Sequence, residues 1–289
     1  MNHSNLPLIM LAASLTLPMA GFADDDNEEP FDEARLFFEL NDTDGDLGIH
    51  GKIDGDEWKY LEIEDPRDRK MMHIWVRGRL RRQGLTELFF ESAEPCFPDN
   101  EECEEPLDPE TFFKRFPEGE YDIEGYTLDG EERESEVFLS HVIPAAPEGV
   151  RINGVPLPDD PEECLEGVQP PVVVSWDAVT QSHAARWAGD PDKIALGRDG
   201  DIEVIYYEAV IEIDEADYNS ASILPPYTLE ADLSQAVTSL IDETEDGEGE
   251  FKIELLVRID NGEGNPGNKS AMESCFVIGE GGDDEEDDE

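Results

Sequence analysis

Three groups of side chains in this chain have the types and spacing to do chemistry. The first is Asn41-Asp42-Thr43-Asp44-Gly45-Asp46, in which Asp42, Asp44 and Asp46 alternate as the first three ligands of a calcium loop do. Without gaps the loop fails, because Leu47 stands at the turn glycine and Ile53 at the bidentate glutamate. If Leu47 to His50 is an insertion, Gly51, Ile53, Asp54 and Glu57 take the turn, hydrophobic, ninth and twelfth positions. The candidate metal set is then Asp42, Asp44, Asp46, Asp54 and Glu57, and calcium is the one cofactor the sequence suggests. Against it, 74 of 289 residues are acidic, so alternating acidic triplets arise by chance. The Trp58, Tyr60 and LEIE that follow also read as strand rather than as the helix of a hand. A solvated acidic loop between strands accounts for the same residues.

The second group is basic. Arg67, Arg69, Lys70, Arg77, Arg79, Arg81 and Arg82 put seven of the 20 basic residues into 16 positions. In strand alternation Trp75, Arg77, Arg79 and Arg81 share one face, and Ile74, Val76, Gly78 and Leu80 the other. The plainer explanation is that this face pairs with acidic side chains on neighbouring strands such as LEIE. The functional one is recognition of a sulfated or carboxylated polymer by Trp75 and the guanidinium forks. The third group is Trp187 flanked by His183 and Arg186, inside TQSHAARWAGDPDKIALGRDG. That composition suits a binding hot spot, and equally a lid packed on the body of the protein.

Catalysis finds little support in the sequence. It contains no G-x-S-x-G, no H-E-x-x-H and no phosphate loop. His50, His73, His141 and His183 are scattered, and carboxylate pairs suited to glycoside hydrolysis could be nominated anywhere in so acidic a chain. The balance of 74 acidic against 20 basic residues leaves a net charge of −54, which excludes direct nucleic-acid binding.

The elements that must position these groups read as strands. WKYLEIEDP, HIWVRGRL, LTELFFES, EYDIEGYTLDG and SEVFLSHVI occupy 58–143, with hairpin turns expected at Arg82-Gln83-Gly84 and Asp129-Gly130. One short helix is expected over 108–116, with Asp108 as N-cap, Pro109 at the first helical position and Pro117 ending it. Residues 147–163 are rich in Pro and Gly and read as a linker. Beyond it VVVSWDAV, IEVIYYEAVIEI, YTLEADLS, FKIELLVRID and ESCFVIG again read as strands, before an acidic tail at 280–289.

Leu6 to Leu17 is apolar, too short to span a bilayer, and followed by Gly21-Phe22-Ala23. Residues 1–23 are therefore expected to be a signal peptide and the protein to be exported, to the periplasm or beyond, with no transmembrane segment left after cleavage. The four cysteines suit an oxidising compartment. They lack a C-x-x-C pair, which disfavours zinc, and the preferred pairing is Cys96–Cys103 with Cys164–Cys275.

The order SWDAV, YYEAVIE, TSLI and GEFKIELLVRIDNGEGNPGNKSAMESCFVI resembles a fibronectin type III domain. Trp176 falls on its strand B, Tyr206 or Tyr207 on strand C, Leu240 leads out of strand E, and a long strand F follows. Phe251 replaces the usual corner tyrosine, and about 20 extra residues separate strands B and C. The first half is similar to uncharacterised exported acidic bacterial proteins. The resemblance implies a mainly β chain of two sandwich-like domains, 24–146 and 164–279, the second immunoglobulin-like. It further implies a non-catalytic adhesion or scaffolding protein whose partner is a protein or polysaccharide at the cell surface. A calcium-dependent protein and a hydrolase with an unrecognised site are the alternatives.

Overall fold

The computed structural model describes residues 29–98, 103, 105–158, 160–161, 163–213, 220–241 and 249–279. The expected signal peptide at 1–23 and the acidic tail at 280–289 lie outside the described residues. The first half is built from β1 (Glu33–Asn41), β2 (Asp46–Glu64), β3 (Lys70–Trp75), β4 (Leu85–Glu91), β5 (Gly119–Thr127) and β6 (Glu132–Leu139). Helix α1 (Pro109–Arg115) interrupts them, with the Asp108 side chain accepting from the Thr111 amide and Pro at its start. The second half holds β7 (Glu148–Ile152), β8 (Val155–Pro156), β9 (Leu165–Val168), β10 (Val173–Asp177), β11 (Val204–Ile213), β12 (Ser220–Leu224), β13 (Glu230–Asp232), β14 (Gly249–Asp260) and β15 (Pro266–Ile278). Two further helices, α2 (His183–Arg186) and α3 (Ser234–Ile241), lie among them.

The second half is a sandwich in which β13, β10 and β7 face β12, β11, β14 and β15. Its inward residues alternate along each strand, so Trp176, Tyr207, Ile253, Leu255 and Phe276 fill one core. Trp176 packs 5.3 Å from Tyr207, whose hydroxyl accepts from the Val179 amide. Phe251, at the place of the missing tyrosine, stacks on Phe276 at 5.2 Å. Leu240 is fully buried on α3 rather than at the end of a strand.

Residues 147–163, expected to be a linker, begin with β7 and β8, and β7 pairs with β10 in the sandwich. Val150 and Ile152 are buried there, which is why this proline- and glycine-rich stretch cannot hang free. The Cys164–Cys275 disulfide then joins the chain before β9 to β15, and Cys96 pairs with Cys103 as expected.

The two halves are not separate sandwiches. The long strand β15 pairs along one edge with β14, and its first part pairs in parallel with β1 on the other, Glu39 opposite Lys269. One sheet therefore runs from β12 through β11, β14, β15, β1 and β2 to β5 and β6. At the junction Asn268 is buried, accepting from the Phe38 amide at 2.7 Å and donating to the Ser140 and Val142 carbonyls at 2.8 Å each.

Candidate functional site

The basic stripe lands on an excursion from a sheet edge. Strand β3 pairs with Tyr60 to Glu64 of β2, and β4 pairs with His50 to Trp58 of the same strand. Both run antiparallel to β2, so no hairpin joins them at Arg82-Gln83-Gly84, and residues 76–84 leave the edge and return to it. Gly78 and Gly84 hold φ of +64° and +79°, a backbone that breaks extended alternation. The strand face expected to carry Trp75, Arg77, Arg79 and Arg81 therefore ends at Trp75, and Leu80–Arg82 form a 3-10 turn. Val76, buried and donating its amide to the Lys59 carbonyl at 2.9 Å, anchors the base of the loop.

The stripe divides by partner. Arg69 Nε donates to Asp65 at 2.8 Å, and Lys70 pairs with Glu62. Burial raises the Asp65 carboxyl, but hydrogen bonds from Arg69 and from the Arg67 and Arg69 amides outweigh it and hold the group below the usual range. By contrast Arg77, Arg79, Arg81 and Arg82 are exposed and form no ion pair with a described residue. Beside them Trp75 is 57% exposed, its ring 4.5 Å from Tyr60, which lies 5.9 Å from Tyr126. Three aromatic rings thus cross β3, β2 and β5 in one row, and Leu80, 53% exposed, lies in the loop that follows β3. Tyr60 and Tyr126 carry no sequence motif; only cross-strand register brings them to Trp75.

The inserted segment does not present its histidine. His183 is buried, with Nδ1 accepting from the Leu196 amide at 3.0 Å and Nε2 standing 3.2 Å from Asp42 Oδ1. Leu196 and Ile194 pack into the core of the first half, and Arg198 pairs with Glu118 at 2.7 Å. The segment is a clasp holding the sandwich to the first half. Trp187 is half-buried outside the main cores, with Arg186 at 4.4 Å and Lys193 at 5.4 Å from its ring, while Arg186 pairs with Glu148. Next to the clasp, Thr180, Gln181, Ser182, Asp199 and Asp201 line an open depression. There Ser182 caps α2 through Ala185 and donates to Asp199 at 3.3 Å, whereas the His183 ring is committed to Leu196 and Asp42.

The calcium set is dispersed. Asn41 and Asp46 close a tight turn between β1 and β2, and Asn41 Nδ2 donates to Asp44 and to Glu273. Asp54 lies opposite Glu33, eight residues along β2 from Asp46, roughly 26 Å at the rise of a strand. Glu57 lies farther still. The insertion that would bring the five carboxylates onto one loop is a continuous strand.

No protein-family model matches the chain, and no curated protein matches it, so the likeness of the first half to exported acidic proteins finds no counterpart there. Among solved structures it is similar to the FN1–FN3 domains of chicken CNTN1, at 8% identity and TM-score 0.29, over 86% of this chain and 64% of that one. It is also similar to a two-domain fibronectin type III segment of chicken tenascin, at 8% identity and TM-score 0.25, over 84% and 96%. A third is the BSP domain of a biofilm-associated protein, at 8% identity and TM-score 0.22, over 86% and 29%. The overlaps are loose, and the fibronectin-like arrangement rests on the strand pairing itself. Among the described residues no helix is long and apolar enough to cross a membrane.

Proposed function

We propose that this is an exported, non-catalytic binding or scaffolding protein whose ligand contact is the loop 76–84 together with Trp75, Tyr60 and Tyr126. The ligand is an anionic polymer, a sulfated or carboxylated polysaccharide of the cell surface. One observation carries the reading: in a chain of net charge −54, four arginines of one loop stand exposed without an acidic partner among described residues, beside an exposed tryptophan whose ring lies tilted 4.5 Å from Tyr60. Carboxylates are abundant enough to neutralise every basic group, and Arg69 and Lys70 next in the chain are neutralised. Guanidinium forks grip sulfate or carboxylate in pairs, and aromatic faces stack on sugar rings, so the two features suit one ligand.

The test is retention of the full chain on heparin, with neutral dextran as control. The parent is retained and Arg77→Ala/Arg79→Ala/Arg81→Ala is not, while Trp75→Ala weakens binding roughly tenfold, the scale of one stacking contact. Salt has two effects: the overall negative charge repels the polymer at low ionic strength, and screening over about 8 Å at physiological salt relieves this before it weakens the local contacts. Retention therefore peaks at intermediate salt. Equal retention of parent and triple variant sinks the reading.

A further inference from the structure

Beyond the arginine loop, the opposite end of the β2–β4 pairing gathers donors of a different kind. His50 on β2 lies directly across from Glu91 on β4. The chain after β4 is tied back to β2 at two points: Ser92 exchanges hydrogen bonds with Ile49, its amide donating at 3.0 Å and its hydroxyl accepting at 3.1 Å, and Asp46 bridges to Cys96. Glu94 is held between those points, over Gly48. A Cβ on Gly48 would stand 2.8 Å from Glu94 Oε1, so the carboxylate occupies the space of the missing side chain. Its oxygen reaches to 3.6 Å from His50 Nε2.

His50 is only 4% exposed, and neither ring nitrogen has a hydrogen-bond partner. Leaving such a group unpaired in the interior is costly, so a buried imidazole with both nitrogens idle among carboxylates points to a missing partner. One oxygen of Asp46, which bridges to Cys96, is buried and unpaired as well. Ligand atoms of His50, Glu91 and Glu94 all lie within 4.8 Å of one another. Around a tetrahedral zinc ion the ligand atoms stand about 3.3 Å apart, a closure that side-chain rotation supplies.

We propose that His50, Glu91 and Glu94 bind a divalent transition-metal ion, with zinc the best match, at the junction of β2, β4 and the disulfide-bearing segment that follows. Calcium takes oxygen ligands, so the imidazole selects against it; one nitrogen and two carboxylates suit zinc, with water filling the open position. Burial lowers the His50 pKa despite the neighbouring Glu39. Glu39 stands 3.4 Å from the same nitrogen with its other oxygen on Lys269 at 2.6 Å, adding negative charge beside the ring. Bound there, the ion would pin Glu94 and the Cys96 segment onto the sheet.

The full chain, with disulfides intact and stripped by chelator, is titrated with zinc by calorimetry in excess calcium, which occupies oxygen-only sites on so acidic a surface. One saturable zinc site is expected. His50→Gln and Gly48→Ala each weaken it at least about tenfold, the first by removing a ligand and the second by displacing Glu94. Asp54→Asn/Glu57→Gln, on the remote part of β2, leaves it unchanged. No saturable zinc binding under calcium, or equal binding by His50→Gln, overturns the proposal. Should His50→Gln fail to fold, the imidazole NMR signals of the parent decide: zinc shifts those of His50, and their constancy overturns the site.

Discussion

Asn268 offers the sharpest probe of how the two halves are joined. Its amide satisfies three backbone groups, the N–H of Phe38 on β1 and the carbonyls of Ser140 and Val142 just beyond β6, and it is 2% exposed. Asn268→Ala removes all three bonds where water does not reach. An orphaned buried polar group costs about 1–3 kcal/mol, and carbonyls relax more easily than an amide, so the expected loss is about 3–5 kcal/mol. That is a large share of the roughly 5–15 kcal/mol that holds a domain folded. Urea unfolding followed by both tryptophan fluorescence and far-ultraviolet circular dichroism reads it: Trp58 lies in the first core and Trp176 in the second. Because β15 belongs to both halves, parent and variant should each unfold in one transition on which the two signals agree, the variant's midpoint displaced. Exposed Ile223→Thr is the control, expected within about 0.5 kcal/mol of the parent. A loss under about 1 kcal/mol for Asn268→Ala, or two separated transitions in the parent, would refute the reasoning.

The disulfides should contribute unequally. Loop-closure entropy for separations of 111 and 7 residues predicts that Cys164→Ala/Cys275→Ala costs about 5 kcal/mol and Cys96→Ala/Cys103→Ala about 2, measured as urea-midpoint shifts under oxidising conditions. Glu254 carries a pH signature, since burial first, and then the charges of Glu39 and Glu273, raise its pKa from 4.5 to about 7. The unfolded chain gives up this proton first, so the contribution to stability is whole below about pH 4.5 and is lost as pH rises through about 7. Glu254→Gln should therefore melt higher than the parent at pH 8, by roughly 1–2 kcal/mol after solvent screening, and match it near pH 4; equal melting at pH 8 would contradict the shift.

How much was legible depended on whether the signal was local. Helix α1 was, because Asp108 and Pro109 at its start and Pro117 after its end are signals adjacent in the chain to the helix they bound. The hairpin at Asp129-Gly130 was, because a positive φ at Gly130 serves the turn and both flanking strands alternate. Strand β1 and the first part of β2 were hidden, since Asp42 to Asp46 imitates an ion loop while serving as the turn between them. The linker reading failed at Val150 and Ile152: proline and glycine density marks a turn but not what the intervening residues bury against. His183 had the look of an exposed binding residue, and its commitment to Asp42 and Leu196 spans 141 and 13 residues of sequence.

The sequence by itself determined the class: alternation dictated strands, and the four cysteines paired as expected. Only the tertiary structure decided which side chains meet. Strand pairing sets Tyr60 and Tyr126 beside Trp75, bares four arginines by looping the chain off an edge, and carries β15 across both halves. Register is a relation between segments far apart in the chain, and a one-residue slip turns every side chain to the opposite face; no local pattern encodes it, so the site existed only once the sheet was assembled.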